Sequence, residues 1–201
     1  ERENLASGSR AAVRGGVTSF LEMPNCKPPT TDQEQLSWKI DRASKTSVAN
    51  FGFFIGATSG NLRSLNDAQP ACGIKIFMGS STGDLLVDDE KHLDQIFGNG
   101  SRLIAVHAED ETRIQDRTKS LLDGNENPDY SIHSVIRDPQ TALIATERAL
   151  SLSKKYERRL HVLHLSTAEE VKRLRHDKPD WVSCEVIPNH LFLNTDDYKT
   201  L

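Results

Sequence analysis

Six short apolar runs, Val17–Met23, Val48–Ala57, Ile74–Met78, Leu103–His107, Leu160–Leu165 and Trp181–Val186, alternate with polar stretches of helical character. That alternation leaves the chain few folds to choose from. The runs are close to continuously apolar, as strands buried on both faces are. The stretches between them lie at about 32–45, 61–69, 88–97, 139–156 and 167–175, with another at 5–14 ahead of the first run. Strand followed by helix, repeated, is the pattern of parallel βαβ units and predicts an α/β protein. An open doubly wound sheet and part of a closed (β/α)8 barrel both accommodate six such strands, and periodicity does not choose between them. No GxGxxG or GxxxxGK[ST] loop follows the first run, which disfavours a nucleotide-binding open sheet. One longer insertion, 110–138, passes through Asp123-Gly124-Asn125-Glu126-Asn127-Pro128-Asp129. Over the end of a parallel strand such a segment reads as a rim or lid.

The 201 residues suit one domain, 1–201, with a sizeable core. A net charge of -4 with 27% charged residues excludes a basic nucleic-acid footprint. No apolar run nears the roughly 20 residues of a membrane helix, and the first residues are not a signal peptide. Cys26, Cys72 and Cys184 are far apart and form no CxxC pair, which points to a reducing cytoplasm rather than a disulfide framework.

Three polar residues interrupt runs that ought to be apolar, each in a different one of three consecutive runs: Lys75, His107 and His164. A buried ammonium group without a partner costs several kcal/mol, so a strand lysine is paired, deprotonated or modified. Desolvation favours the neutral amine, which can take up carbon dioxide as a carbamate able to bridge two metal ions. Taken alone, a lysine that snorkels out or pairs with an acid is the commoner case. A lone strand histidine is likewise more often a satisfied core residue than a ligand. Two histidines at the C-terminal ends of adjacent parallel strands are a different matter, because in a barrel those ends share one mouth. Imidazoles meeting there beside an anionic carbamate suit zinc or another borderline divalent metal. His161 is three residues before His164, so strand alternation sends the two to opposite faces. His164, next to Ser166-Thr167 and the following helix, is the candidate.

The same segments carry a family likeness. Met23-Pro24-Asn25-Cys26-Lys27-Pro28-Pro29-Thr30-Thr31 resembles the MPN-x-x-PPTT signature of dihydroorotases, and residues 6–18 resemble those enzymes' approach to their second strand. Gly73-Ile74-Lys75-Ile76-Phe77 resembles their carboxylated-lysine strand, and Val106-His107-Ala108-Glu109-Asp110 and His164-Leu165-Ser166-Thr167 resemble the next two histidine-bearing strands. Cys184-Glu185-Val186-Ile187-Pro188-Asn189-His190-Leu191 is similar to their CEV-x-PHHL segment, with Asn189 in place of its first histidine, so no role is carried to His190.

The resemblance implies an incomplete (β/α)8 TIM-type barrel with strands two to seven present and strands one and eight missing. Counting Val17–Met23 as strand two puts Lys75 on strand four, His107 on five and His164 on six, as in the family. No HxH pair, the family's strand-one ligands, occurs in the sequence. The chain begins at Glu1 and falls short of the about 250 residues of a full barrel. A piece of a longer chain is therefore expected, inactive alone, with the general-base aspartate beyond Leu201. The resemblance further implies two zinc ions bridged by carboxylated Lys75, the second also held by His107 and His164, and Asn25 donating to the substrate carboxylate. The activity it implies is reversible hydrolysis of dihydroorotate to N-carbamoyl-aspartate in pyrimidine synthesis. A turn role for Asn25 is an equal alternative. Asp84 with Ser80-Ser81-Thr82-Gly83 reads as a polar loop, and Glu109, Asp110 and Glu111 read as a helix-starting acidic cluster. An allantoinase, a dihydropyrimidinase, a non-catalytic scaffold of the same fold and an open-sheet binding domain are the competing expectations. A small-molecule substrate and a homo-oligomer are expected, with neither nucleic acid nor membrane as partner.

Overall fold

A computed structural model describes residues 3–80, 83–124 and 127–199. It is an α/β protein whose parallel strands alternate with helices, in two compact units, Glu1–Lys75 and Ile76–Leu201, divided within one strand.

In the first unit α1 (Leu5–Arg14) begins at Asn4, whose side chain accepts from the Ser7 N–H while the Ser7 hydroxyl accepts from the Asn4 N–H. This reciprocal cap satisfies two donors that a helix start leaves orphaned. α2 (Gln33–Thr46) starts at Asp32, whose side chain accepts from the Gln35 N–H, and buries Leu36, Lys39 and Ala43. Strands β1 (Ser19–Glu22), β2 (Asn50–Gly56) and β3 (Gly73–Phe77) are parallel, with Ser19 opposite Asn50 and Gly56 opposite Lys75. The short α3 (Leu62–Asp67) links β2 to β3. Lys39 is 4% exposed, pairs with Glu22 of β1, and lies 5.1 Å from the Phe53 ring centroid. An opposite charge and a ring face offset much of the desolvation that burial imposes on its ammonium group.

In the second unit β4 (Ile104–His107), β5 (Leu160–Val162) and β6 (Val182–Cys184) are parallel, Ile104 facing Leu160 and Leu160 facing Val182. Around them run α4 (Glu90–Gly98), α5 (Glu111–Leu122), α6 (Ile132–Ile136), α7 (Pro139–Tyr156), α8 (Ala168–Asp177) and α9 (Pro188–Phe192). α7 packs on α4, α8 and β5, burying Ala142, Ala145, Ala149 and Leu150, while α4 buries Leu93, Ile96 and Phe97. The buried Arg158, just after α7, donates to the carbonyls of Asn99, Gly100 and Arg102, tying the end of α4 to the approach to β4.

The helix read at 5–14 coincides with α1, and the one at 139–156 with α7. Every apolar run overlaps a strand, but all the strands except β3 are shorter than their runs, and β5 stops at Val162 rather than Leu165. The insertion at 110–138 holds α5 and α6; Asn125 and Glu126 in its middle lie outside the described residues, as do Ser81 and Thr82. Among the described residues no helix is long and apolar enough to cross a membrane.

Candidate functional site

β4 buries Ile104, Ala105 and Val106 and ends on His107, whose carbonyl accepts from the Met78 N–H at 3.0 Å. Alongside it, the Leu163 N–H donates to the Val106 carbonyl at 3.2 Å, so the chain follows β4 for one residue past β5. His164 then turns to φ +40°. A left-handed conformation is uncommon for any residue but glycine and costs about 1–2 kcal/mol, though histidine tolerates it better than most. Leu165 resumes pairing, donating to the Glu185 carbonyl at 2.8 Å, and Thr167 caps α8. The turn brings His164 Nε2 to 3.0 Å from His107 Nδ1, with ring centroids 4.8 Å apart and planes at 62°. A histidine ending β4 and one in the turn after β5 thus bring one nitrogen each to the same place.

The second nitrogen of His107, Nε2, lies 2.6 Å from Glu109 Oε2. That oxygen also accepts from the Ser80 hydroxyl at 2.6 Å and from the Arg137 guanidinium. The Ser80 N–H donates to Glu111 at 2.7 Å. Gly79 makes this approach possible, since a Cβ there would stand 2.5 Å from the Glu109 carbonyl oxygen. Burial alone would push the Glu109 carboxyl up, but hydrogen bonds from His107 and Ser80 and the charge of Arg137 bring it down to about 2. It is an anion at neutral pH.

Ser80, His107, Glu109, Arg137 and His164 line a cavity of about 830 Å³, together with His190 and Asn189. His190 Nδ1 is 3.0 Å from the Leu165 carbonyl oxygen and its ring stands edge-on to His164, centroids 6.5 Å apart. Below the rim Glu170, 3% exposed, accepts from the hydroxyls of Thr146 and Thr167, each at 2.8 Å. A buried carboxylate so satisfied stiffens the start of α8.

His161 turns elsewhere, to Ser183 Oγ at 2.8 Å and Glu185 Oε2 at 3.2 Å. It separates from His164 as expected, but by a different cause: β5 ends at Val162, and the left-handed turn, not strand alternation, sets the direction of His164. In the first unit Lys75 lies on β3, 2% exposed, its carbonyl accepting from the Ala57 N–H at 2.9 Å. Asn25 is exposed, in a turn after β1 closed by the Thr30 N–H on the Pro24 carbonyl at 3.0 Å; the Thr30 carbonyl in turn accepts from Gly56 at 2.8 Å. Sequence alone places Glu109 only in an acidic helix start. Its place two residues after His107 was the available signal, whereas nothing in sequence announced Arg137, which arrives 28 residues later.

Among the described residues no three His, Cys, Asp or Glu side chains cluster as a metal cage. The two imidazoles still fit one cation. Nitrogens 3.0 Å apart can both lie at the about 2.0–2.1 Å typical of zinc, and neutral imidazole is a common donor to it. They furnish part of a coordination shell, and the rest must come from other groups.

No family model matches the chain. Over its whole length it is 36% identical to a dihydroorotase of Methanosarcina acetivorans, covering 45% of that protein. Over 98% of its length it is 33% identical to a dihydroorotase of Pyrococcus horikoshii, covering 41% of that one. The chain thus spans a little under half the length of the curated relatives it matches. Among solved structures it is similar to L-hydantoinase (dihydropyrimidinase) of Arthrobacter aurescens, with a TM-score of 0.91 and 29% identity over 98% of this chain and 45% of that one. A dihydropyrimidinase of Brevibacillus agri follows the same path with a TM-score of 0.84 and 25% identity over 97% of this chain and 44% of its own.

Proposed function

The chain belongs to the dihydroorotase family of cyclic amidohydrolases, and from that membership we propose that the full-length protein opens dihydroorotate. Water adds across the ring amide, the C–N bond breaks, and N-carbamoyl-aspartate forms reversibly, as a step of pyrimidine synthesis. The observation that carries the proposal is the meeting of His107 Nδ1 and His164 Nε2, 57 residues apart in sequence and 3.0 Å apart in space, at the wall of a small-molecule-sized cavity.

Lys75, in carboxylated form, His107 and His164 are the residues that would hold the metal, two zinc ions. Burial of Lys75 to 2% exposure supports a modified amine. Its ammonium group would lose one proton, and the neutral amine would then bond carbon dioxide and release a second proton to water, exchanging a cation for an anionic carbamate that such a site can use. Bound there, a divalent cation supplies Lewis acidity toward the amide carbonyl. Asn25 is proposed to donate to the substrate carboxylate, which its exposure on a pinned turn at the end of β1 supports. None of the 201 residues is assigned as general acid or base.

The strands are proposed to be two to seven of a (β/α)8 barrel, both units belonging to one barrel domain. The whole-chain likeness to hydantoinases supports this. That likeness also favours a second reading, hydrolysis of a hydantoin or dihydropyrimidine ring. A scaffold role finds no support in two histidines and an acid arranged around one cavity. A cytoplasmic homo-oligomer acting on a small molecule completes the proposal.

The test is metal analysis and ring opening by the full-length protein, with dihydroorotate, dihydrouracil, hydantoin and allantoin as substrates and Lys75→Ala as comparison. The proposal expects dihydroorotate to be preferred and the variant to lose both metal and activity. Unchanged metal and turnover in Lys75→Ala would defeat the site assignment, and a preference for another ring would move the substrate.

A further inference from the structure

We infer that Glu109 is a positioning residue for His107, fixing which imidazole nitrogen faces His164. This rests on the reading of His107 and His164 as metal ligands and extends it to a residue with no role so far.

A carboxylate can only accept. With Glu109 Oε2 2.6 Å from His107 Nε2, that nitrogen must carry a proton, and in the neutral ring the lone pair is left on Nδ1. Nδ1 is the nitrogen 3.0 Å from His164. Glu109 therefore selects the tautomer that presents a donor atom toward its neighbour, and the same bond locks the ring about its χ2 axis. The carboxylate is itself held. Ser80 and Arg137 both donate to the oxygen that His107 uses, so Oε2 cannot swing into the cavity without breaking three interactions. A charged partner on the outer nitrogen also raises the basicity of the inner one, and outer carboxylates of this sort tune metal affinity by roughly 10–100-fold. The sequence permits the contact because Ala108 separates the two residues, and Gly79 leaves room for the Glu109 backbone.

The experiment uses the full-length protein with ¹⁵N-labelled histidine and cobalt(II) as probe. Metal-free wild type should show His107 as the Nε2–H tautomer. Glu109→Ala should give a mixed tautomer population and weaken cobalt binding by about 10–100-fold. Glu109→Gln keeps the shape and lacks the charge, so it should fall between the two, and it carries the test if the alanine variant does not fold. Arg137→Ala, which frees the carboxylate to move, should shift the tautomer in the same sense. If the Glu109 variants lower the unfolding temperature yet leave tautomer and cobalt affinity unchanged, Glu109 is merely structural and the inference is overturned. His107→Ala separates the two levels. If it leaves cobalt affinity intact, the ligand reading itself has failed; if it abolishes binding while Glu109→Ala does not weaken it, only the positioning role has.

Discussion

At the scale of single residues, the backbone of His164 makes the sharpest statement. A left-handed φ of +40° penalises any side chain, so His164→Gly should be more stable than His164→Ala by about 1 kcal/mol, although it deletes one atom more. Equal urea midpoints for the two variants would contradict the turn. Asp138 makes a second prediction. It accepts from Arg113 Nε at 2.9 Å and from the Thr141 N–H and hydroxyl at 3.0 and 2.9 Å, capping α7. The hydrogen bond from Arg113 leads in holding its carboxyl well below the usual range, despite burial pulling the other way. A depressed carboxyl contributes stability that is complete above its unfolded pKa of about 3.9 and fades as pH falls through the folded value. Urea midpoints measured from pH 7 down to pH 2 should therefore fall more steeply for wild type than for Asp138→Asn. Parallel decline would show that the pair contributes nothing. Both residues show where sequence stops informing: Asp138 before Pro139 is a readable helix start, but its Arg113 partner is not, and no composition rule places a histidine in a left-handed turn.

Among strands, existence was legible and extent was not. Apolar runs located all of β1 to β6, most plainly the buried β3 and β4, because a strand buried on both faces must be apolar whatever its neighbours. β5 was overestimated because Leu163 and Leu165 are buried without being strand, so burial and pairing part company at the rim. α6 and α9, of five residues each, are too short for helical periodicity to register. The helical layer carries its own test. Leu93 of α4 is fully buried, so Leu93→Ala should cost about 2–5 kcal/mol in urea unfolding. A loss under 1 kcal/mol would mean that α4 does not pack as described. The candidate site divides along the same line: Lys75, His107 and His164 stand out as polar interruptions of apolar runs, whereas Glu109, Ser80 and Arg137 sit in loops and helix ends where polar residues are ordinary.

For the whole molecule, a metal centre at the paired imidazoles should be felt in stability. A metal that binds only the folded state adds RT ln(1 + [M]/Kd), about 2.7 kcal/mol at a hundredfold excess over Kd. Stripping the full-length protein with a chelator should lower its thermal midpoint, and zinc should restore it. An unmoved midpoint would argue against a bound cation. The most direct measurement is anomalous diffraction at the zinc edge from crystals of the full-length protein grown with zinc. The account predicts a peak within bonding distance of His107 Nδ1 and His164 Nε2, with density for a carbamate extending from Lys75. A peak elsewhere, or imidazoles that part to leave an unmodified Lys75 away from any metal, would contradict it.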